Sequence, residues 1–116
     1  MTPTLISMRP NLPVRDIPTA IAFYRDTLGF EAKAEFPDGS FALLESGGAQ
    51  LALVRHESPQ PQGAYLYVTG VEELHARCTA AGHTITSPLT TQPWGLRDFV
   101  VLDPDGHAIA IGERVE

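Results

Sequence analysis

The clearest structural pattern in the sequence lies at residues 41–54, which read FALLESGGAQLALV. Two apolar runs flank Gly47-Gly48, and two glycines suit a two-residue hairpin turn that requires positive φ. The pattern returns between Phe99 and Ile111, where FVVL and AIAI flank Pro104-Asp105-Gly106. Because Asp-Gly is also favoured in such turns, the sequence predicts two β-hairpins of the same geometry.

A helix is predicted before each hairpin. The first follows Asp16, a good N-cap residue, and stops at Gly29, which tolerates the left-handed conformation of a helix C-terminus. The second has Thr69 and Glu72 at the spacing of a capping box and stops at Gly82. Apolar residues recur at helical spacing between these signals. A short strand-like segment precedes each helix.

The two halves of the chain therefore repeat one another. Val14 aligns with Val68, 54 positions later, and Phe41 aligns with Phe99, 58 positions later. A βαβββ unit of this size is too small to bury its sheet alone, so we expect two units packed about a pseudo-twofold axis. The predicted fold class is α+β, as a single domain over residues 1–116. Its parts are module one at about 5–56, a linker at 57–63 and module two at 64–114.

Composition limits the possible functions. Fourteen acidic residues against eight basic ones give a net charge of −6, which argues against nucleic-acid binding. The same charge favours a cationic ligand, although an ordinary acidic protein is an equal alternative. The first ten residues lack a signal-peptide pattern, and we find no apolar run long enough to span a membrane. With Cys78 as the one cysteine, we expect a cytoplasmic protein without disulfides.

Strand alternation predicts which side chains face a pocket. Pairing across a two-residue turn places Phe41 and Leu43 on the open face of the first sheet. The same count places Phe99, Val101 and Ala110 on the open face of the second. Tyr65 and Tyr67 share a face of their strand. We expect the large aliphatic residues to lie under the helices: Leu44, Leu51, Leu53, Leu102, Ile109 and Ile111.

Several motifs carry a family resemblance. NLPVRD at 11–16, AFY at 22–24 and LGF at 28–30 resemble the opening of the glyoxalase, bleomycin-resistance and dioxygenase group, the vicinal oxygen chelate superfamily. DPDG at 103–106 resembles that group's closing signature. The matches cover nearly the whole chain in the expected order. The resemblance implies the paired βαβββ fold.

The resemblance also identifies four positions at which the superfamily's metalloenzymes hold a divalent ion. Aligned on the opening motif and the internal repeat, these positions are Arg9, Ala52, Gly63 and Ala110. None offers a usable donor, since arginine stays protonated. We therefore expect no metal, no cofactor and no catalytic residue of the superfamily's kind.

Within the group, the chain is similar to bleomycin-resistance proteins. The similarity rests on QPWG at 92–95, followed by Asp98-Phe99. It implies an acidic homodimer that stacks aromatic rings on a flat cationic glycopeptide in grooves between subunits. Tyrosine at position 65, where members carry tryptophan, is a departure and allows a different flat compound. The resemblance implies Trp94, Phe41, Tyr65 and Phe36 as ligand contacts, and the facing of the strands adds Tyr67, Asn11 and His56.

Each candidate has a simpler alternative. An aromatic residue on a strand is often ordinary core, a loop tryptophan is often an anchor, and His56 resembles a solvated strand-end histidine. Our leading hypothesis is non-enzymatic sequestration of a bleomycin-like or other flat cationic or aromatic antibiotic. A metalloenzyme with a relocated metal site is the first alternative, and it requires carboxylates to converge on His56. A binding module for an endogenous metabolite is the second.

Overall fold

The structure is a computed structural model that describes residues 2–115. Its elements alternate as the repeat predicts, with one helix after the first strand of each half. Their bounds are β1 Asn11–Val14, α1 Ile17–Leu28, β2 Glu31–Glu35, β3 Phe41–Ser46, β4 Ala49–Arg55, β5 Gly63–Tyr67, α2 Val71–Ala80, β6 Ile85–Thr91, β7 Leu96–Leu102 and β8 Ala108–Arg114.

The strands form two four-stranded mixed sheets with the same connectivity. The first has the order β1-β4-β3-β2 and the second the order β5-β8-β7-β6. In each sheet the first strand runs parallel to the last, and the other pairs are antiparallel. The predicted α+β fold with two βαβββ units is confirmed. Neither helix within residues 2–115 has the length and apolar character needed to cross a membrane.

The first helix begins and ends as predicted, whereas the second ends as predicted at Gly82, with φ of 78°, but begins differently. The Asp16 carboxylate accepts the Thr19 amide hydrogen at 3.0 Å, and Gly29 closes α1 with φ of 82°. The N-cap of α2 is Gly70, with no side-chain cap from its own segment. Instead Glu113 Oε1, on β8, accepts the amides of Gly70 and Val71, both at 3.0 Å. The predicted capping box is therefore wrong, because a carboxylate from a neighbouring strand supplies the cap.

The two hairpins also differ. In the first, Ser46 pairs with Ala49 across the predicted two-residue turn. In the second, Leu102 pairs with Ala108, which leaves a five-residue loop at 103–107. The Asp103 carboxylate shapes this loop by accepting the amides of Asp105 at 2.9 Å and His107 at 2.8 Å.

The longer loop moves the register of β7 by one residue, which reverses its faces. Phe99 and Val101 are fully buried beneath α2, and the His75 ring meets the Phe99 ring edge-on at 5.0 Å. The predictions that Phe99 and Val101 face a pocket, and that Leu102 lies under a helix, are wrong. By pairing, Asp98 is the residue that corresponds to Phe41.

Both helices cover the sheets on one side and create a continuous apolar core. Leu44, Leu53 and Ile111 are fully buried there, as predicted for the aliphatic positions. Cys78 is also fully buried in this core, and burial raises the pKa of its thiol. A buried thiol of this kind acts as a small apolar side chain rather than a nucleophile.

The loop at 103–107 joins module two to module one, and we call it the inter-module loop. Asp103 Oδ2 accepts a 2.7 Å hydrogen bond from the buried Tyr24 hydroxyl. The His107 side chain is fully buried and has Nε2 at 2.6 Å from the Pro13 carbonyl oxygen, while its Nδ1 accepts the Gln62 amide at 2.9 Å. Because Nδ1 accepts, the proton lies on Nε2. These hydrogen bonds link the inter-module loop to α1, to β1 and to the linker.

Candidate ligand-binding site

The open face of the first sheet carries a pair of phenylalanines. The Phe36 and Phe41 rings have their centroids 5.0 Å apart, tilted by 39°. Phe41 is half-buried and pairs with Val54, while Phe36 is 54% exposed at the end of the edge strand. The Arg9 guanidinium lies 5.9 Å from the Phe41 centroid. This group presents an apolar surface with one cation at its border.

The open face of the second sheet carries a pair of tyrosines. The Tyr65 and Tyr67 rings are 4.9 Å apart, tilted by 47°, and both are exposed. The Arg114 guanidinium lies 5.2 Å from the Tyr67 centroid. A solvent-exposed aromatic pair of this kind presents ring faces on which a flat ligand can stack.

Tyr65 reaches across the sheet from β5 to β7. Its hydroxyl donates to Asp98 Oδ2 at 2.8 Å, and its ring passes directly over Gly112 on β8. A Cβ at position 112 would collide with the phenol oxygen, so only glycine accommodates this arrangement. Desolvation, followed by the hydrogen bond and charge of Asp98, raises the pKa of Tyr65 to about 12.

Trp94 occupies the turn between β6 and β7. The turn is closed by the Gln92 amide donating to the Leu96 carbonyl at 2.7 Å. The Gln92 side chain then donates to Asp98 Oδ1 at 3.0 Å. Trp94 itself is 67% exposed, which does not match the alternative of a buried loop anchor. Asp98 therefore connects the tyrosine pair to the turn that carries the tryptophan.

A cleft of about 410 Å³ lies between the two sheets. Leu12 and Leu51 line it from the first sheet, and Leu66 and Ile109 line it from the second. Of the seven predicted contacts, Tyr65 and Tyr67 border this cleft. The structure thus brings the predicted residues together as two pairs on separate sheets, with Trp94 beyond the second.

Asn11 and His56 lie near the first sheet. Asn11 pairs with Ala52 at the start of β1 and is exposed. His56 follows β4, is exposed, and accepts the Ser58 amide through Nδ1 at 3.0 Å. This is the position expected of a solvated histidine at the end of a strand. The ligand contact predicted for His56 stays a prediction.

The positions that correspond to the superfamily's metal ligands do not fit a metal ion. Ala52 and Ala110 offer only a methyl group, Gly63 offers none, and Arg9 directs its guanidinium to an aromatic ring. Over residues 2–115, no three side chains of His, Cys, Asp or Glu come together as a metal site. In particular, the described part of the chain does not bring two carboxylates together with His56, as the relocated site would require.

Comparison with known proteins decides the family. The sequence profile of the Glyoxalase/Bleomycin resistance protein/Dioxygenase superfamily matches residues 7–111. The chain belongs to this superfamily. A bleomycin resistance protein from Geobacillus stearothermophilus is 32% identical over 129 aligned positions, which cover 92% of this chain and 96% of that protein.

Solved structures agree with the family. The crystal structure of TioX from Micromonospora sp. ML1 has a TM-score of 0.85 at 28% identity, covering 93% of this chain and 98% of that one. A bleomycin resistance determinant encoded on the transposon Tn5 has a TM-score of 0.78 at 26% identity, covering 95% and 98%. The chain therefore resembles both proteins over more than nine-tenths of its length.

The sequence patterns did not identify three residues on the open face of the second sheet: Asp98, Gly112 and Arg114. The strand alternation of β8 contains the signal for two of them, since Gly112 and Arg114 share a face with Ala110. A two-residue turn in the second hairpin, as the sequence predicts, puts Phe99 on the open face in place of Asp98. Counting from the true pair of Leu102 and Ala108 would have placed Asp98 on the open face.

Proposed function

We propose that this protein binds and sequesters a flat, cationic aromatic compound of the bleomycin type, without chemical turnover. The observation that carries the proposal is the concentration of exposed aromatic rings on the open sheet faces. Phe36, Tyr65, Tyr67 and Trp94 are 40–67% exposed, while the helix sides are closely packed. Groups of exposed aromatic side chains on faces that nothing covers support a binding role for these faces.

The binding surface offers stacking in place of coordination. Arginine, glycine and two alanines occupy the metal-ligand positions of the superfamily, so these positions provide no donor for a metal ion that would activate a bound molecule. Each well-placed aromatic stack contributes about 0.5–1.5 kcal/mol to the binding free energy, in addition to the effect of burying apolar area. Binding alone withholds the compound from its target by mass action, so no chemical reaction of the compound is needed.

The proposed assembly is a cytoplasmic homodimer with the ligand between subunits. The two aromatic pairs lie on separate sheets of one chain, and their open faces are uncovered. A second copy would bring a sheet of the partner against each of them. The net charge of −6 would attract a cationic ligand to the groove. Copies of the protein should therefore elute as a dimer from a sizing column.

The test is a titration of the purified protein with metal-free bleomycin, followed by the fluorescence of Trp94, the only tryptophan. We expect saturable quenching at micromolar or lower concentrations. Tyr67→Ala should weaken binding, whereas Tyr67→Phe should not. The Tyr67 hydroxyl makes no hydrogen bond to any residue from 2 to 115, so only the ring is at stake. A flat calorimetric trace with wild-type protein would disprove the bleomycin assignment.

A further inference from the structure

The Asp98 carboxylate is half-buried on the open face of the second sheet. Each of its oxygens accepts one hydrogen bond, one from the Tyr65 hydroxyl at 2.8 Å and the other from the side-chain amide of Gln92 at 3.0 Å. Both donors are neutral. Within residues 2–115, none of the ion pairs closer than 4.0 Å involves Asp98. The carboxylate is thus held in place without a counter-charge.

The arginines near Asp98 are engaged elsewhere. Arg114 shares its face but lies over the Tyr67 ring, 5.2 Å from the centroid. Arg97, the preceding residue, points to the other side of the strand. There it pairs with Glu72 at 3.3 Å and donates to Thr91 at 3.0 Å. The charge of Asp98 is therefore available to a ligand.

We propose that Asp98 is the charge-recognition residue of this site and pairs with a positive group on the bound ring system. The inference rests on the proposed function and adds its selectivity: planar cations are preferred over neutral rings of the same shape. A cation beside Tyr65 gains from the carboxylate and from the negative face of the aromatic ring together. A neutral ring gains only from stacking.

The two neutral donors give Asp98 a second role as a positioning residue. Tyr65 and Gln92 fix the carboxylate, so little side-chain entropy is lost when a cation binds. The same hydrogen bonds fix Tyr65 across Gly112 and hold the turn of Trp94. Charge and stacking surfaces are consequently arranged before the ligand arrives.

The test uses a matched pair of probes, N-methylacridinium and acridine, at a pH at which acridine is neutral. The two rings have nearly the same shape and differ in permanent charge. For the wild-type protein, calorimetry should show N-methylacridinium binding about tenfold more tightly, the ratio expected for one partly exposed charged contact. In Asp98→Asn, which keeps the shape and can still accept from Tyr65, the ratio should fall several-fold, to the smaller preference that the Tyr65 ring face and the net charge leave.

Two control variants separate local from general charge effects. Asp26→Asn makes the same chemical change on the exposed helix side, where Asp26 pairs with Arg25. It should leave the ratio as in the wild type. Tyr65→Phe removes one donor and keeps the carboxylate, so it should lower the affinity for both rings and preserve their ratio. Should Asp98→Asn fail to fold, Asp98→Ser removes the same charge with a smaller side chain, and the ratio should fall in that variant while it stays unchanged in Asp26→Asn.

The outcomes distinguish the two proposals. If neither ring binds the wild-type protein, the proposed function fails along with its selectivity. If both rings bind the wild type equally, charge recognition by Asp98 is overturned while sequestration of flat compounds stands. Equal weakening of both rings by Asp98→Asn would likewise overturn it and leave a positioning role alone.

Discussion

Removing the single hydroxyl of Tyr24 tests whether the inter-module loop holds the two modules together. The hydroxyl donates at 2.7 Å to Asp103, and the two residues are 1% and 5% exposed. Tyr24→Phe deletes this bond, preserves the ring, and leaves Asp103 Oδ2 without the donor. Buried hydrogen bonds to charged groups contribute about 1.5–3 kcal/mol, so we expect a loss of roughly 2–3 kcal/mol of unfolding free energy.

The assay is reversible urea unfolding followed by circular dichroism, with thermal unfolding beside it. A loss of that size should lower the Tm by roughly 8–12 °C in a domain of this length. Tyr67→Phe is the matched control, because it deletes the same atom from an exposed ring. It should change the unfolding free energy by less than about 0.5 kcal/mol.

The pH dependence gives an independent reading of the same bond. Burial, followed by the Asp103 charge, raises the pKa of the Tyr24 phenol above its ordinary value of 10.0. A raised pKa favours the protonated form in the folded state. The contribution is therefore complete below pH 10 and is lost as the pH rises further, because the unfolded phenol ionises first. The stability advantage of the wild type over Tyr24→Phe should shrink from pH 10 upward.

Two results would contradict this account. A Tyr24→Phe variant as stable as Tyr67→Phe would show that the hydrogen bond to Asp103 adds nothing net. A difference between wild type and Tyr24→Phe that stays constant well above pH 10 would show that the phenol is not held protonated by its surroundings. Either outcome would require another explanation for how the inter-module loop joins the modules.

Two further substitutions test the local structure. Glu113→Ala should lower the free energy of unfolding by about 1 kcal/mol by uncapping α2, whereas Thr69→Ala, at the cap expected from the sequence, should be nearly neutral in urea unfolding. Gly112→Ala should displace the Tyr65 ring and lower the free energy of unfolding by about 1–3 kcal/mol through overpacking. It should also bring the pKa of the Tyr65 phenol back toward its ordinary value, measured by near-ultraviolet absorbance, and an unchanged titration would refute the close packing over residue 112.

The repeated pattern was sufficient to predict the architecture. Capped helices and a glycine turn encode elements locally, and the internal repeat shows how they combine. The first hairpin was predicted to the residue, since Gly47-Gly48 leaves few choices of loop length. Phe36 and Phe41 were both predicted as contacts, and the structure places their rings side by side.

The errors arise where contacts distant in sequence decide the local structure. Pro104-Asp105-Gly106 permits a two-residue turn, but the Asp103 side chain organises five residues into the loop that also contacts Tyr24. The apolar run from Phe99 to Leu102 does not alternate, so its facing follows entirely from the turn. The α2 cap shows the same limit, since Glu113 reaches it from β8. None of these contacts is visible in a local pattern.

Small residues on the open faces connect the absence of metal donors with the aromatic surface. Ala52 lies beside Asn11 and Ala110 beside Tyr65, and Gly112 lies beneath the Tyr65 ring. A metal-binding side chain projecting from position 110 would occupy the space next to that ring. Replacing donors by methyl groups or hydrogen therefore removes coordination and lets aromatic rings lie across the strands. The fold can in this way exchange a contact with a metal ion for a flat aromatic surface, and under our proposal Asp98 supplies the negative charge by which that surface discriminates among flat ligands.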